Sequence, residues 1–130
     1  MNERRTLIAT SLLSILLFSW HWADEVARAK EPGTISAVGG LVILFVWLYA
    51  TLALSERRLG LWTLLIGGIL GSGVPVLHMQ GKGLLGGAPA DSPVGTFFWV
   101  WTLIVLAPIS MVSLVLSARG LWAYRRGARR

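Results

Sequence analysis

The sequence has no cysteine and little charge, and both scarcities narrow what the protein can be. Without cysteine there are no disulfides, thiolate zinc sites, iron–sulfur clusters or thiol redox chemistry. Only 14% of the 130 residues are charged, whereas a soluble domain carries about a quarter. With 55% apolar residues and a mean hydropathy of +0.67, so short a chain cannot bury its apolar side chains in one water-soluble core. The composition therefore indicates lipid as the solvent.

Four long stretches contain no Asp, Glu, Lys or Arg: Thr6–Ala23, Gly33–Ser55, Leu59–Gly81 and Ser92–Ala118. A transmembrane helix needs about 20 mainly apolar residues, and continuous apolar runs are typical of helices, whereas barrel strands alternate. The sequence predicts an all-α integral membrane protein with a single domain over residues 1–130. Its four transmembrane helices form an up-down-up-down bundle, at about 6–27, 34–56, 60–79 and 95–120.

The basic residues divide unequally between the two predicted faces, and this predicts the orientation. Three lie on the face opposite the termini, namely Arg28, Lys30 and Lys82, and nine share the face of the termini: Arg4, Arg5, Arg57, Arg58, Arg119, Arg125, Arg126, Arg129 and Arg130. Because Lys and Arg in short loops resist translocation, both termini are expected in the cytoplasm, with the helices in a cytoplasmic (inner) membrane. The basic tail 123–130 favours anchoring to anionic lipid over binding of nucleic acid.

A cleavable signal peptide is the alternative reading of the N-terminus. Residues 2–5 resemble a basic n-region, residues 7–20 an apolar h-region, and 27–29 fit a small-x-small cleavage pattern. Asp24 and Glu25 charge the region before that cleavage pattern, which is unusual. We therefore expect an uncleaved first helix.

An internal repeat is indicated when the chain is compared with itself at a shift of 62 residues. Gly33–Leu59 then aligns without a gap with Gly95–Leu121; both segments open with Gly-Thr and both contain Leu-x-Leu-Ser-x-Arg near their ends. The alignment predicts two tandem helical hairpins related by an axis along the membrane normal, a parallel repeat. Convergence of leucine-rich membrane helices on similar sequences is the alternative.

The chain has two histidines, His21 and His78, at the predicted outer ends of the first and third helices. These helices lie on a diagonal of an up-down-up-down bundle, so the two rings could meet across its axis. Asp24 and Glu25 follow His21 by three and four residues, which places them near the same helix face. Such a set suits a divalent metal, and two facing histidines suit a haem. The alternative is that both histidines mark the water boundary.

Small residues and prolines mark where the helices are expected to pack and bend. Gly67, Gly68, Gly71 and Ser72 recur one turn apart on the third helix and predict close approach of another helix, within the chain or in an oligomer. Kinks are expected at Pro75 and Pro108, since neither can donate a backbone hydrogen bond.

The functions that fit this pattern are few. The predicted helices have no ionisable residue in their middle, which weighs against proton-coupled transport and charge-lined pores. The chain lacks a Ser-His-Asp arrangement, a glycine-rich nucleotide loop and a helical His-Glu-x-x-His motif, so nothing indicates an enzyme. The first expectation is an accessory or scaffold subunit that binds other membrane subunits, or itself as a homo-oligomer, through the small-residue faces of its helices. A metal or haem protein using His21 and His78, or an oligomeric facilitator of a small neutral or lipophilic molecule, are the alternatives.

Overall fold

Four helices make up almost all of the described chain. In the computed structural model, α1 comprises Glu3–Ala29, α2 Ile35–Ala53, α3 Arg58–Gln80 and α4 Pro93–Arg125. The structure describes residues 2–29, 35–80 and 93–127, and their side chains except at 28–29, 35–37 and 77–80. Over those three ranges the chain contains helices and turns and no strand, so the prediction of an all-helical protein with four helices is confirmed there.

Three of the helices are long and apolar enough to cross a membrane, through the segments Glu3–Ala27, Arg58–Val76 and Pro93–Arg125. The apolar part of α2, Val38–Ala53, is shorter. At about 1.5 Å per residue, the 19 residues of α2 reach about 28 Å, slightly less than the about 30 Å of a bilayer's hydrocarbon core. The prediction of four spans is therefore supported for three helices, and the span at α2 stays a prediction because the described part of α2 begins directly after residues outside the described ranges.

The interior is rich in hydroxyl groups and the exterior is apolar, the reverse of a water-soluble domain. Buried polar side chains are Ser11, Ser14, His21, Thr51, Ser55, Thr102, Ser110, Ser113 and Ser117. An apolar cluster comprises Leu7, Trp47, Ala50, Leu61, Leu64 and Leu121. Large apolar side chains such as Phe45 and Ile104 are exposed on the outside of all four helices. This distribution is stable when hydrocarbon covers the outside.

The helices pack with α4 as the common neighbour of α1 and α3, while α2 packs against α1 and α3. The glycines of α3 lie at these contacts. A Cβ at Gly67 would lie 2.5 Å from the Trp47 ring, and one at Gly68 would lie 2.9 Å from the backbone nitrogen of Leu114. Both positions thus let α3 approach α2 and α4 within van der Waals contact.

A tight turn at residues 54–57 joins α2 to α3. The amide of Arg57 donates to the carbonyl of Leu54 at 2.8 Å, and the amide of Leu61 donates to the carbonyl of Arg57 at 3.0 Å. A Cβ at Gly60 would lie 1.8 Å from the Leu54 carbonyl oxygen, so only glycine fits there.

The helices continue through both prolines, since Pro75 lies inside α3 and Pro108 inside α4. The two segments of the predicted repeat differ near their ends. Helix α2 ends at Ala53, whereas the aligned Val115 lies within α4, which continues to Arg125. The opening residues Gly33 and Thr34 lie outside the described residues, and the repeat stays a prediction.

Candidate functional site

A row of hydrogen bonds between side chains joins α1 to α4, and we call it the α1–α4 seam. Ser110 donates to Ser14 at 3.0 Å, and Ser113 donates to Thr10 at 2.8 Å. His21 Nδ1 lies 3.1 Å from the hydroxyl of Thr102. As residue numbers rise along α1 they fall along α4, so the two helices are antiparallel. Hydroxyl pairs of this kind hold helices together in lipid, where no water competes for them.

Helix α2 joins this network through Ser11. The indole nitrogen of Trp47 donates to the Ser11 hydroxyl at 3.0 Å, and the hydroxyls of Ser11 and Thr51 lie 2.8 Å apart. Thr51 donates its proton to the Trp47 carbonyl at 2.8 Å, so Ser11 is the donor to Thr51. Ser11 therefore both accepts and donates, and its buried hydroxyl is fully used.

Ser117 extends the serine stripe of α4 by one turn. Its hydroxyl is buried and has no hydrogen-bond partner among the described residues. The stripe thus contains two serines that bond to α1, Ser110 and Ser113, and one that does not. An unpaired buried hydroxyl costs free energy because its interaction with water is lost without replacement.

His21 is the buried ionisable group of the seam, with 2% of its surface exposed. Thr102 donates its own proton to the carbonyl of Trp99 at 2.8 Å. Its oxygen is therefore the acceptor for His21, which fixes a proton on Nδ1. The other ring nitrogen, Nε2, lies 3.5 Å from a carboxylate oxygen of Glu25, and the Trp99 ring centroid lies 5.7 Å from that of the imidazole.

This geometry allows two chemical states of His21. With a second proton on Nε2, the imidazolium forms an ion pair with Glu25. Without a proton on Nε2, the lone pair of that nitrogen lies on the side of Glu25 and could bind a metal ion. Thr102 would then orient the ring through Nδ1, as the outer hydrogen-bond partners of metal-binding histidines do.

The structure brings together part of the set that the sequence singled out. Glu25 contacts His21, and Asp24, the residue before Glu25, is half-buried. His78 lies in the last turn of α3, but its side chain is outside the described residues. Where side chains are described, no three His, Asp or Glu residues form a group that could hold a metal ion. The arrangement across the bundle axis stays a prediction.

The basic end of the protein is formed by the start of α1, the turn before α3 and the end of α4. Arg4 Nε lies 3.0 Å from Glu56 Oε1, and Arg119 Nη2 lies 2.6 Å from Glu3 Oε1. Tyr124 donates its hydroxyl proton to the carbonyl of Glu56. All four ion-paired side chains are about half exposed or more, so each pair contributes at most about 1 kcal/mol to the free energy of unfolding.

An open groove lies between α3 and α4 near this end, with a volume of about 230 Å³. It is lined by Trp62, Leu65, Ala118, Leu121, Trp122 and Arg125. The guanidinium of Arg126 stacks on the Trp122 ring, 3.5 Å from its centroid. Sequence analysis did not find the groove, because its existence depends on which faces of α3 and α4 meet.

Comparison with known proteins adds no relative. No protein family, no curated protein and no solved structure matches this chain.

Proposed function

We propose that the protein is an accessory or scaffold subunit of a membrane that binds other membrane proteins or further copies of itself through the outer face of α2. The paired hydroxyls of α1, α2 and α4 bond to one another inside the protein, so they stabilise the fold. The side chains that can engage a partner are those outside. Contiguous apolar side chains on the surface of a protein often mark the site where another protein binds.

The α2 outer face, defined as Val38, Val42, Phe45, Tyr49 and Leu52, is the observation that carries the proposal. These residues recur every three or four positions and are all exposed, with Phe45 68% exposed. That spacing places them in one row along the helix, as in the seam of packed helices. The opposite face, with Trp47 and Thr51, is already used within the chain.

The small residues of α3 are a less suitable partner surface than the sequence indicated. A Cβ at Gly71 would lie 2.3 Å from the Ser110 hydroxyl oxygen, and Gly67 and Gly68 contact Trp47 and Leu114. Ser72 donates to the carbonyl of Gly68 at 2.8 Å. Three of these four positions are occupied by neighbouring helices of the same chain, which moves the proposed interface to α2.

The proposal includes an orientation with both termini in the cytoplasm, four helices crossing the inner membrane in alternating directions. The ion pairs of Arg4 with Glu56 and of Arg119 with Glu3 support it. They bring the basic start of α1, the turn that contains Arg57 and is followed by Arg58, and the basic end of α4 to one end of the protein.

The absence of cysteine makes a direct test available, since each introduced cysteine is then the only one in the chain. Tyr49→Cys is placed in the α2 outer face, and Ile104→Cys on α4, also 62% exposed, is the matched control. After oxidation in native membranes, Tyr49→Cys should give a disulfide-linked dimer if the partner is a second copy. If the partner is another protein, a photoactivatable maleimide attached to the same cysteine should give an adduct of different mass on illumination. Equal adducts from both positions, or none from Tyr49→Cys, would contradict the proposal.

A second candidate function, a membrane metal or haem protein, is favoured by one observation. His21 is buried with Nδ1 oriented by Thr102 and Nε2 beside Glu25, and an outer hydrogen bond of this kind also orients the rings of metal-binding histidines. Elemental analysis and an absorption spectrum of the protein purified from its own membranes test this. Stoichiometric metal or a haem band lost in His21→Ala supports it, and a colourless, metal-free protein rejects it.

A further inference from the structure

The groove between α3 and α4 has a positive charge at its mouth, and no carboxylate of the described residues pairs with it. Two carboxylates are described at the basic end, Glu3 and Glu56, and each pairs with another arginine. Arg125, which lines the groove, has no carboxylate partner among the described residues. An exposed guanidinium beside apolar surface attracts an anion that also has an apolar part.

The remaining walls are suited to hydrocarbon. The apolar surface of the groove is provided by Leu65, Ala118 and Leu121. The groove is also lined by two tryptophans, Trp62 of α3 and Trp122 of α4. Tryptophan favours the headgroup level of a bilayer, which places Arg125 at the depth of lipid phosphates and the leucines one to two turns deeper.

The groove is held in shape by contacts at both of its helices. A Cβ at Gly120 would lie 3.0 Å from the Leu61 side chain, so glycine lets α4 approach α3 closely. The bond from Tyr124 to the Glu56 carbonyl ties the end of α4 to the turn before α3. Stacking of Arg126 on Trp122 restrains that ring. A preformed site loses less entropy when a ligand binds.

We propose that this groove binds an anionic phospholipid, with the phosphate on Arg125 and an acyl chain along Leu65, Ala118 and Leu121. Any lipid can cover an apolar groove, but a preference for anionic headgroups requires the guanidinium. The inference is independent of the α2 outer face, which lies on another helix.

Native mass spectrometry of the full-length protein in detergent, titrated with phosphatidylglycerol or phosphatidylcholine of equal chain length, tests the proposal. The first lipid adduct should saturate at about fivefold lower concentration for phosphatidylglycerol, the preference expected from one basic residue near a lipid headgroup. Arg125→Gln should remove this preference, and Arg125→Lys should retain most of it. Arg5→Gln is the control for loss of one positive charge and should leave the preference unchanged. Arg5 lies on α1 at the same end, and like Arg125 it has no carboxylate partner among the described residues.

The apolar part of the site is tested separately. Ala118→Trp fills the groove and should weaken the first adduct of both lipids, and Ala118→Leu should weaken it less. Their thermal unfolding is measured alongside. The proposal is overturned by equal affinity of the wild type for the two lipids, by an equal effect of Arg5→Gln and Arg125→Gln, or by unchanged adducts in both Ala118 variants.

Discussion

The hydroxyl of Ser110 on α4 donates a hydrogen bond to the hydroxyl of Ser14 on α1, at 3.0 Å, and both side chains are fully buried. Gly71 of α3 packs against the same serine, because a Cβ there would lie 2.3 Å from the Ser110 oxygen. Ser110 is therefore the point where α1, α3 and α4 meet. A small hydroxyl residue suits this place, since it bonds to one helix and leaves room for the other.

Replacing serines of α4 should separate bonded from unbonded hydroxyls. Ser110→Ala removes the bond to Ser14 and should lower the free energy of unfolding by about 0.6 to 1.7 kcal/mol. Ser117→Ala removes a buried hydroxyl that has no partner among the described residues, so it should be neutral or stabilise by up to about 1 kcal/mol. Unfolding in detergent measures both. An equal loss in the two variants would show that bonding is not what distinguishes them.

Two glycines of α3 should respond in opposite ways to a larger side chain. Gly71→Leu places atoms where Ser110 stands and should destabilise the protein by about 1 to 3 kcal/mol or more. Gly73→Leu should be tolerated, because nothing lies within 4 Å of a Cβ at Gly73. Thermal unfolding and gel mobility in detergent give the comparison. If Gly71→Leu behaves like Gly73→Leu, α3 and α4 do not pack as described.

The histidine variants test the second candidate function. His21→Ala and His78→Ala should each abolish bound metal or colour, and the double variant should lose no more than either single one, because one missing ligand already destroys a two-ligand site. Metal content and the absorption spectrum of the purified variants are the measurements. Full occupancy in both single variants would show that neither histidine is a ligand of the bound metal or haem.

Orientation is tested by reporter fusions along the chain. A reporter active only outside the cytoplasm should be silent when fused after Arg130 and active when inserted near Gly86. The reason is the excess of basic residues at the end that carries both termini, since these resist translocation. Activity of the Arg130 fusion would reverse the proposed topology.

Much of the helical fold could be predicted because lipid imposes a simple rule. Backbone groups in hydrocarbon must bond within their own segment, so the charge-free stretches around Ser14, Gly67 and Ser110 could only be helices. The rule does not set the exact ends. Helix α4 continues past Ala118 to Arg125, since charged residues can extend a helix beyond the bilayer into water.

The pairing of side chains could not be predicted, because it depends on how each helix is rotated about its axis. Thr10 and Ser14 are four residues apart in the sequence, and Ser110 and Ser113 are three apart, which places each pair on one helix face. The same hydroxyls could equally have bonded to backbone carbonyls of their own helix. The contact of Glu25 with His21 could be predicted, because residues four positions apart lie on the same face of a helix. The contact of His21 with Thr102, 81 positions away, has no local signal in the chain.

The seam has a consequence for the order in which the chain enters the membrane. Thr10, Ser14 and His21 each have a hydrogen-bond partner on α4, which leaves the ribosome after α1, α2 and α3. Before α4 is present, Ser11 of α1 can form its hydrogen bond with Thr51 of α2. The hydroxyl of Thr10 can donate to the carbonyl of Thr6 within α1, at 2.9 Å. A nascent chain ending after α3 therefore carries an incomplete polar face, and limited proteolysis of chains truncated at Gln80 should find α1 unprotected. Arrival of α4 is the step that converts inserted helices into a folded protein.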